Sequence, residues 1–258
     1  NSETMGLSFE KLGAWSFSFL VSYQLLIKLK RLLISINDNN HKILINGGST
    51  NTGLMSIQLL RNLFSINNKN IWVVCSGKSS ELVKRVGGED INVVDYRDNI
   101  GLVKSLLIKL NDNSSSGENK FKLVLDFVGG SELLDHYSEL LLVGGSDSNS
   151  TLAKYVTTVG NEKANYKKDK FGGGSGLPRE TFYRMYYKFE YEKFVIDLSN
   201  TKLEENKRSL EMGLSMLEQD QVKVFVDSVY SWCNVSQALD RVALQHSEGK
   251  VVVSVEEF

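Results

Sequence analysis

The chain is poor in proline, cysteine and histidine. Its 258 residues include one proline, Pro178, two cysteines, Cys75 and Cys233, and three histidines, His41, His136 and His246. Two thiols this far apart make no disulfide scaffold, and such usage suits a reducing compartment. A zinc site needs three or four Cys, His or carboxylate ligands gathered together, and the scatter here argues against one. Net charge is scarce too: 30 basic and 31 acidic side chains leave −1. No global field therefore draws the chain to nucleic acid or to an anionic membrane. No apolar run approaches the roughly 18 residues of a spanning helix. What remains is a globular composition, 41% apolar and 24% charged, long enough to bury a large core without metals or cross-links. The chain opens on Asn1 rather than Met, and we expect a longer natural protein. The expected compartment is the cytoplasm, with mitochondrial or lipid-droplet association left open.

Apolar segments alternate between two periods. Residues 14–34 carry apolar side chains three and four apart, a helix pattern whose carboxyl end collects Lys28, Lys30 and Arg31. Strands are expected at 41–45, 71–75, 91–94, 121–128 and 154–159. Helices are expected after Gly53 and at 79–86, 100–110 and 133–142. Several of these strands have no polar face, so both faces are buried. Such alternation predicts a doubly wound α/β unit with a parallel sheet over 41–160. Ligands in such sheets bind at the carboxyl ends of the strands. Beyond residue 160 the pattern weakens. Residues 194–198 are expected to be a strand, 203–217 an amphipathic helix, and 222–232 and 250–255 β-rich segments around a helix at 235–245.

The main chemical signal is the turn after the first strand, Gly47-Gly48-Ser49-Thr50-Asn51-Thr52-Gly53. Glycines let backbone turn tightly beside a pyrophosphate, and the following helix offers free N–H groups and a positive dipole end. No lysine follows the glycine, so this is not an NTPase P-loop. The competing interpretation is a purely structural turn. The second signal lies after the next strand, where NAD enzymes commonly place an acid on the ribose hydroxyls. Here the residues are Ser76-Gly77-Lys78, with no acid before Glu81. Ser76 and Lys78 suit a 2′-phosphate, favouring NADPH over NADH; a merely solvated Lys78 is the alternative. Asp126 at a strand end is read as holding a loop, with contact to a ribose as its alternative, and Cys75 as a buried thiol. The stretch FYRMYYKFEYEKF at 182–194 is read as packing beneath the surface. Base stacking or a lipid surface is its sharper alternative.

The runs ILINGGSTNTG, WVVCSGKSSELVKRVGGEDINVVDY and FKLVLDFVGG resemble zinc-free medium-chain dehydrogenases/reductases of the zeta-crystallin-like quinone oxidoreductase branch. YVTTVGNEKANYK and FVDSVYSWCNVSQALDRVALQHSEGKVVVSV are similar to a fungal subgroup. The resemblance covers nearly the whole chain. It implies a Rossmann dinucleotide-binding domain over 1–222. Residues 223–258 would belong to a GroES-like catalytic domain that is otherwise largely missing. It implies NADP(H) as cofactor and hydride transfer to a small quinone or enone in an interdomain cleft. No nucleic acid or metal is implied, and a homodimer could form through the 194–198 edge. Carried over, the cofactor contacts are Gly47 to Gly53 for phosphate and Ser76 and Lys78 for the 2′-phosphate. Tyr96 of the Asp95-Tyr96 pair would lie on the adenine side. Phe127, Val128 and Gly129, with Thr158, Val159 and Gly160, would lie near ribose and nicotinamide. No catalytic residue is assigned. The family turn reads GGSGGVG, whereas Thr50-Asn51-Thr52 fill its middle here and narrow the space. That departure motivates an alternative, a catalytically decayed nucleotide-binding or regulatory protein on the same scaffold.

Overall fold

The computed structural model describes residues 8–112, 119–143, 152–160, 163, 189–244 and 247–255. They fall into two compact units, one drawn from residues 1–30, 49–65 and 196–258 and the other from 31–48 and 66–195.

The second unit holds a six-stranded sheet in the order β3-β2-β1-β4-β5-β6. The strands are β1 (Lys42–Asn46), β2 (Ile71–Cys75), β3 (Asn92–Asp95), β4 (Phe121–Asp126), β5 (Ala153–Thr157) and β6 (Phe189–Lys193). All five pairings are parallel. β2 is an unbroken apolar run and β4 is apolar but for Lys122 and Asp126; both are buried at every residue, as expected of strands covered on both faces. The sheet is the expected doubly wound, Rossmann-like α/β architecture. On one face Trp72 meets Phe121 edge-on at 5.8 Å and Tyr155 stacks on Tyr191 at 5.7 Å. Each such fully buried side chain contributes roughly 1.5–3 kcal/mol. Helices α4 (Ser80–Gly87) and α5 (Leu102–Asp112) connect strands of this sheet.

Three expected elements are redrawn. The single helix over 14–34 is two, α1 (Phe9–Lys28) and α2 (Lys30–Asp38). Leu29 leaves helical geometry at ψ 3, and Leu32, Leu33 and Ile36 are buried in a segment that falls almost wholly in the second unit. Lys30 and Arg31 therefore start a helix rather than end one. The helix over 133–142 is α6 (Glu132–Asp135) and α7 (Tyr137–Leu140), divided at His136. The strand expected at 194–198 lies instead at β6, inside the aromatic stretch. Phe189 and Tyr191 alternate inward and are almost fully buried. Packing is thus the role of these two aromatics; residues 182–188 of the stretch lie outside the described residues. The described sheet edge is β6, not 194–198. Lys154 on β5 is partly desolvated, but Glu192 at 2.9 Å and Glu190 at 3.3 Å outweigh that and hold its ammonium above its usual range.

In the first unit α1 packs against α3 (Asn51–Asn62) and α8 (Leu203–Glu218). Gly213 of α8 meets Trp15 and Phe19, and an added Cβ would come within 2.7 Å of both rings. A separate parallel pair, β7 (Val226–Ser231) and β8 (Lys250–Ser254), packs with α9 (Val235–Ala243). The Asp227 carboxylate joins these parts. It accepts from Arg241 Nε at 2.8 Å and Nη2 at 2.6 Å, and from the Glu248 N–H at 2.8 Å. Arg241 is the main reason its pKa falls to about 2.

Candidate functional site

Strand order reverses between β1 and β4, the position where doubly wound sheets open a crevice. Each neighbouring strand ends on a polar residue. Asn46 ends β1, Asp126 ends β4 and Thr157 ends β5. All three are buried, and burial at that level demands partners.

Asp126 has four. Its Oδ1 accepts from Asn46 Nδ2 at 2.8 Å and from the N–H groups of Val128 and Gly129 at 3.0 Å each. Its Oδ2 accepts from Tyr155 Oη at 2.8 Å. Burial nevertheless dominates and raises its pKa, with these donors pulling the other way. Thr157 repeats the device one strand over. Its Oγ1 accepts from the N–H groups of Val159 at 3.2 Å and Gly160 at 3.0 Å. Main-chain bonds tie the loops together: Phe127 N–H to Asn46 O, Thr158 N–H to Asp126 O, and Gly130 N–H to Gly160 O. Gly129 (φ 78) and Gly160 (φ 105) take the left-handed turns this requires. These bonds hold the loops without any ligand. The strands stop at Asp126 and Thr157, shorter than expected, because these side chains capture the next N–H groups.

The ends of β2 and β3 are built differently. Cys75 ends β2 as a buried thiol. Ser76 Oγ lies 3.0 Å from Ser79 Oγ, and Lys78 is exposed. Among the described residues Lys78 has no ion-pair partner. Tyr96 follows β3 and is 44% exposed, and the Arg97 guanidinium lies 5.4 Å from its ring centroid. Arg97 is a cation that sequence reasoning missed. Its position one residue past the Asp95-Tyr96 pair was the available signal.

The glycine turn is divided between the units. Gly47 (φ 86) and Gly48 close β1 in the second unit, and both N–H groups are bound to Val74 O, at 3.1 and 2.9 Å. Ser49 to Gly53 belong to the first unit. There Thr50 caps α3, its Oγ1 accepting from Gly53 N–H at 3.0 Å. Asn51 turns its amide to α1, donating to Ser18 Oγ at 2.7 Å and Ala14 O at 3.2 Å. Ser22 Oγ donates to Thr52 O and accepts from Ser56 Oγ. This polar seam fixes the start of α3 on α1. A helix leaves its first N–H groups without internal partners. Here the cap takes that of Gly53, leaving those of Asn51 and Thr52 as the turn's candidate anion donors.

Among the described residues no three His, Cys, Asp or Glu side chains gather as metal ligands. No described helix is long and apolar enough to cross a membrane. The sequence of residues 92–253 matches the family of zinc-binding dehydrogenases. Protein AST2 of Saccharomyces cerevisiae is 31% identical over 283 residues, an alignment covering 98% of this chain and 61% of AST2. The chain thus spans about three fifths of the length of such relatives. The Escherichia coli quinone oxidoreductase, solved with NADPH, superposes with a TM-score of 0.65 at 14% identity, over 96% of this chain and 66% of that one. The mycobacterial Rv1454c, also complexed with NADPH, gives 0.66 at 12% identity, over 97% and 66%. With its sheet order, its switch-point edge and a family match over most of its length, the chain belongs to the zinc-binding dehydrogenases, within the medium-chain dehydrogenases/reductases.

Proposed function

We propose that this chain is the nucleotide-binding part of an NADPH-dependent oxidoreductase that reduces a small quinone or enone. Residues 1–222 would form the dinucleotide-binding domain, and 223–258 would complete a GroES-like domain whose remainder lies in a longer protein. The observation that carries the reading is the donor set after β2 and β3: the Ser76 hydroxyl, the Lys78 ammonium, which has no ion-pair partner among the described residues, and the Arg97 guanidinium beside Tyr96. Two cations and a hydroxyl fit a phosphomonoester better than a bare ribose. Bound there, NADPH would supply a hydride.

The chain's own residues position and exclude. Asn46, Asp126 and Thr157 hold the loops at Phe127–Gly129 and Thr158–Gly160 in place, so orientation needs no reordering on binding. Gly129 and Gly160 present bare backbone to a flat ring. The partial burial of β8 and of β7 apart from the exposed Val229 supports the domain division. So does the exposure of Trp232 and Leu239, at 51% and 65%. A two-stranded sheet with such faces needs cover from further chain. A homodimer through the charged β6 edge belongs to the same proposal.

One observation favours a second reading, a nucleotide-binding or regulatory protein without turnover. Thr50 occupies the Gly53 N–H that a phosphate would otherwise take. The two readings part on NADPH oxidation in the presence of ortho- and para-quinones and α,β-unsaturated ketones, assayed with the longer natural protein. Turnover above the cofactor-alone rate supports the enzyme. Nucleotide binding with no turnover on any acceptor supports the second reading.

A further inference from the structure

The acid commonly found after the second strand of NAD enzymes is missing from this chain, but the space it would fill is not free of negative charge. β2 ends on Cys75, and its register partner on β3 is Asp95. The Tyr96 N–H donates to Cys75 O at 3.2 Å, so the two strand ends stay side by side. Asp95 Oδ1 accepts from the Arg97 N–H at 2.9 Å, which fixes the carboxylate's direction. Its Oδ2 presses on Gly77, in the middle of the Ser76-Gly77-Lys78 turn, so closely that a Cβ there would collide with it. Among the described residues no donor reaches Oδ2. A carboxylate oxygen is an acceptor only. It therefore suits a ribose hydroxyl and opposes a phosphate, while Lys78 and Arg97 do the reverse.

We propose that Asp95 tunes the nucleotide preference of this edge, accepting from a ribose 2′-hydroxyl and countering a 2′-phosphate, so that the preference for NADPH set by Lys78 and Arg97 is held within about tenfold of NADH. The proposal rests on the cofactor reading above and deepens it. Lys78 and Arg97 keep NADPH, and Asp95, reaching across from the neighbouring strand, keeps NADH. Gly77 is what allows that reach, since any side chain there would push the carboxylate away.

The test is calorimetric titration of the 258-residue chain with NADPH, NADH, adenosine 2′,5′-bisphosphate and ADP. The unaltered chain should bind NADPH and NADH within about tenfold of each other. Asp95→Asn retains an acceptor for the Arg97 N–H and removes the charge. It should shift the ratio toward NADPH by about tenfold, the size of one charge a few ångströms from a phosphate at a partly exposed site. The bisphosphate and ADP should show the same shift, placing it at the 2′ position. Asp95→Ser, with a different shape, should shift the ratio the same way. Lys78→Ala should shift it toward NADH. A ratio unchanged within twofold in both Asp95 variants overturns this inference and leaves the cofactor reading standing. An unaltered chain that binds neither dinucleotide overturns both.

Discussion

Two stretches of one sheet edge are finished in opposite ways. At the ends of β1, β4 and β5 the polar groups are buried and matched. Asp126 alone collects four donors, and the loops are bonded to one another. At the ends of β2 and β3 Lys78, Tyr96 and Arg97 are exposed and Ser76 and Asp95 only partly buried, and among the described residues Lys78 has no ion-pair partner and Asp95 Oδ2 no donor. The first stretch is a frame and the second a recognition surface. A buried polar group without a partner costs more than the bond returns when made, so a frame must be complete. An exposed one costs little and can wait for a ligand.

The contrast can be broken most forcefully at Asp126. Replacing it by Leu strands the Asn46 amide, the Tyr155 hydroxyl and two N–H groups, and should cost about 4 kcal/mol in denaturant unfolding. Less than 1 kcal/mol would mean that Asp126 is not the frame's centre. Thr157→Val keeps shape and loses two bonds, and about 2 kcal/mol is expected by the same measurement. On the recognition side the order of effects reverses. Lys78→Ala should leave the unfolding midpoint unchanged while weakening NADPH about tenfold, roughly 1.4 kcal/mol. A change in stability without a change in affinity would put Lys78 in the frame instead.

The mildest test uses pH. Asp227 is held down to about 2 by Arg241. Its contribution should be complete above its ordinary value of 3.8 and lost as pH falls through 2. Asp126 is raised by burial. Its contribution is complete below its ordinary value and shrinks as pH rises through the raised one. Asp126→Asn should therefore flatten the stability profile on the alkaline side. Arg241→Gln should flatten it on the acid side, both read from unfolding midpoints across pH 2 to 8.

Much of the frame's outline is legible in the sequence. The apolar run IWVVC, and FKLVLD with Lys122 inside it, read as strands covered on both faces, and the alternation with helices makes the sheet parallel. The misplacement of β6 has a plain cause. FVID looks more β-prone than FEYEK, but Phe189 and Tyr191 stack on Tyr137 and Tyr155, and tertiary contact overrode propensity. The break at Leu29 was hidden because one apolar period runs through two helices. The shared device of Asp126 and Thr157 was half visible. Each is a polar residue after an apolar run, but its partners come from neighbouring strands that sequence spacing does not reveal. Asp95 was hidden for the same reason, since its approach to Gly77 exists only through the register of β3 on β2.

Cofactor binding along this edge is tested most directly by amide NMR of the chain titrated with NADPH to millimolar concentration. The expected result is saturable shifts at Ser76, Gly77, Lys78, Tyr96, Arg97, Gly129 and Gly160, with β4 and β5 amides unmoved. Absence of shifts, or shifts confined to residues away from this edge, would contradict it.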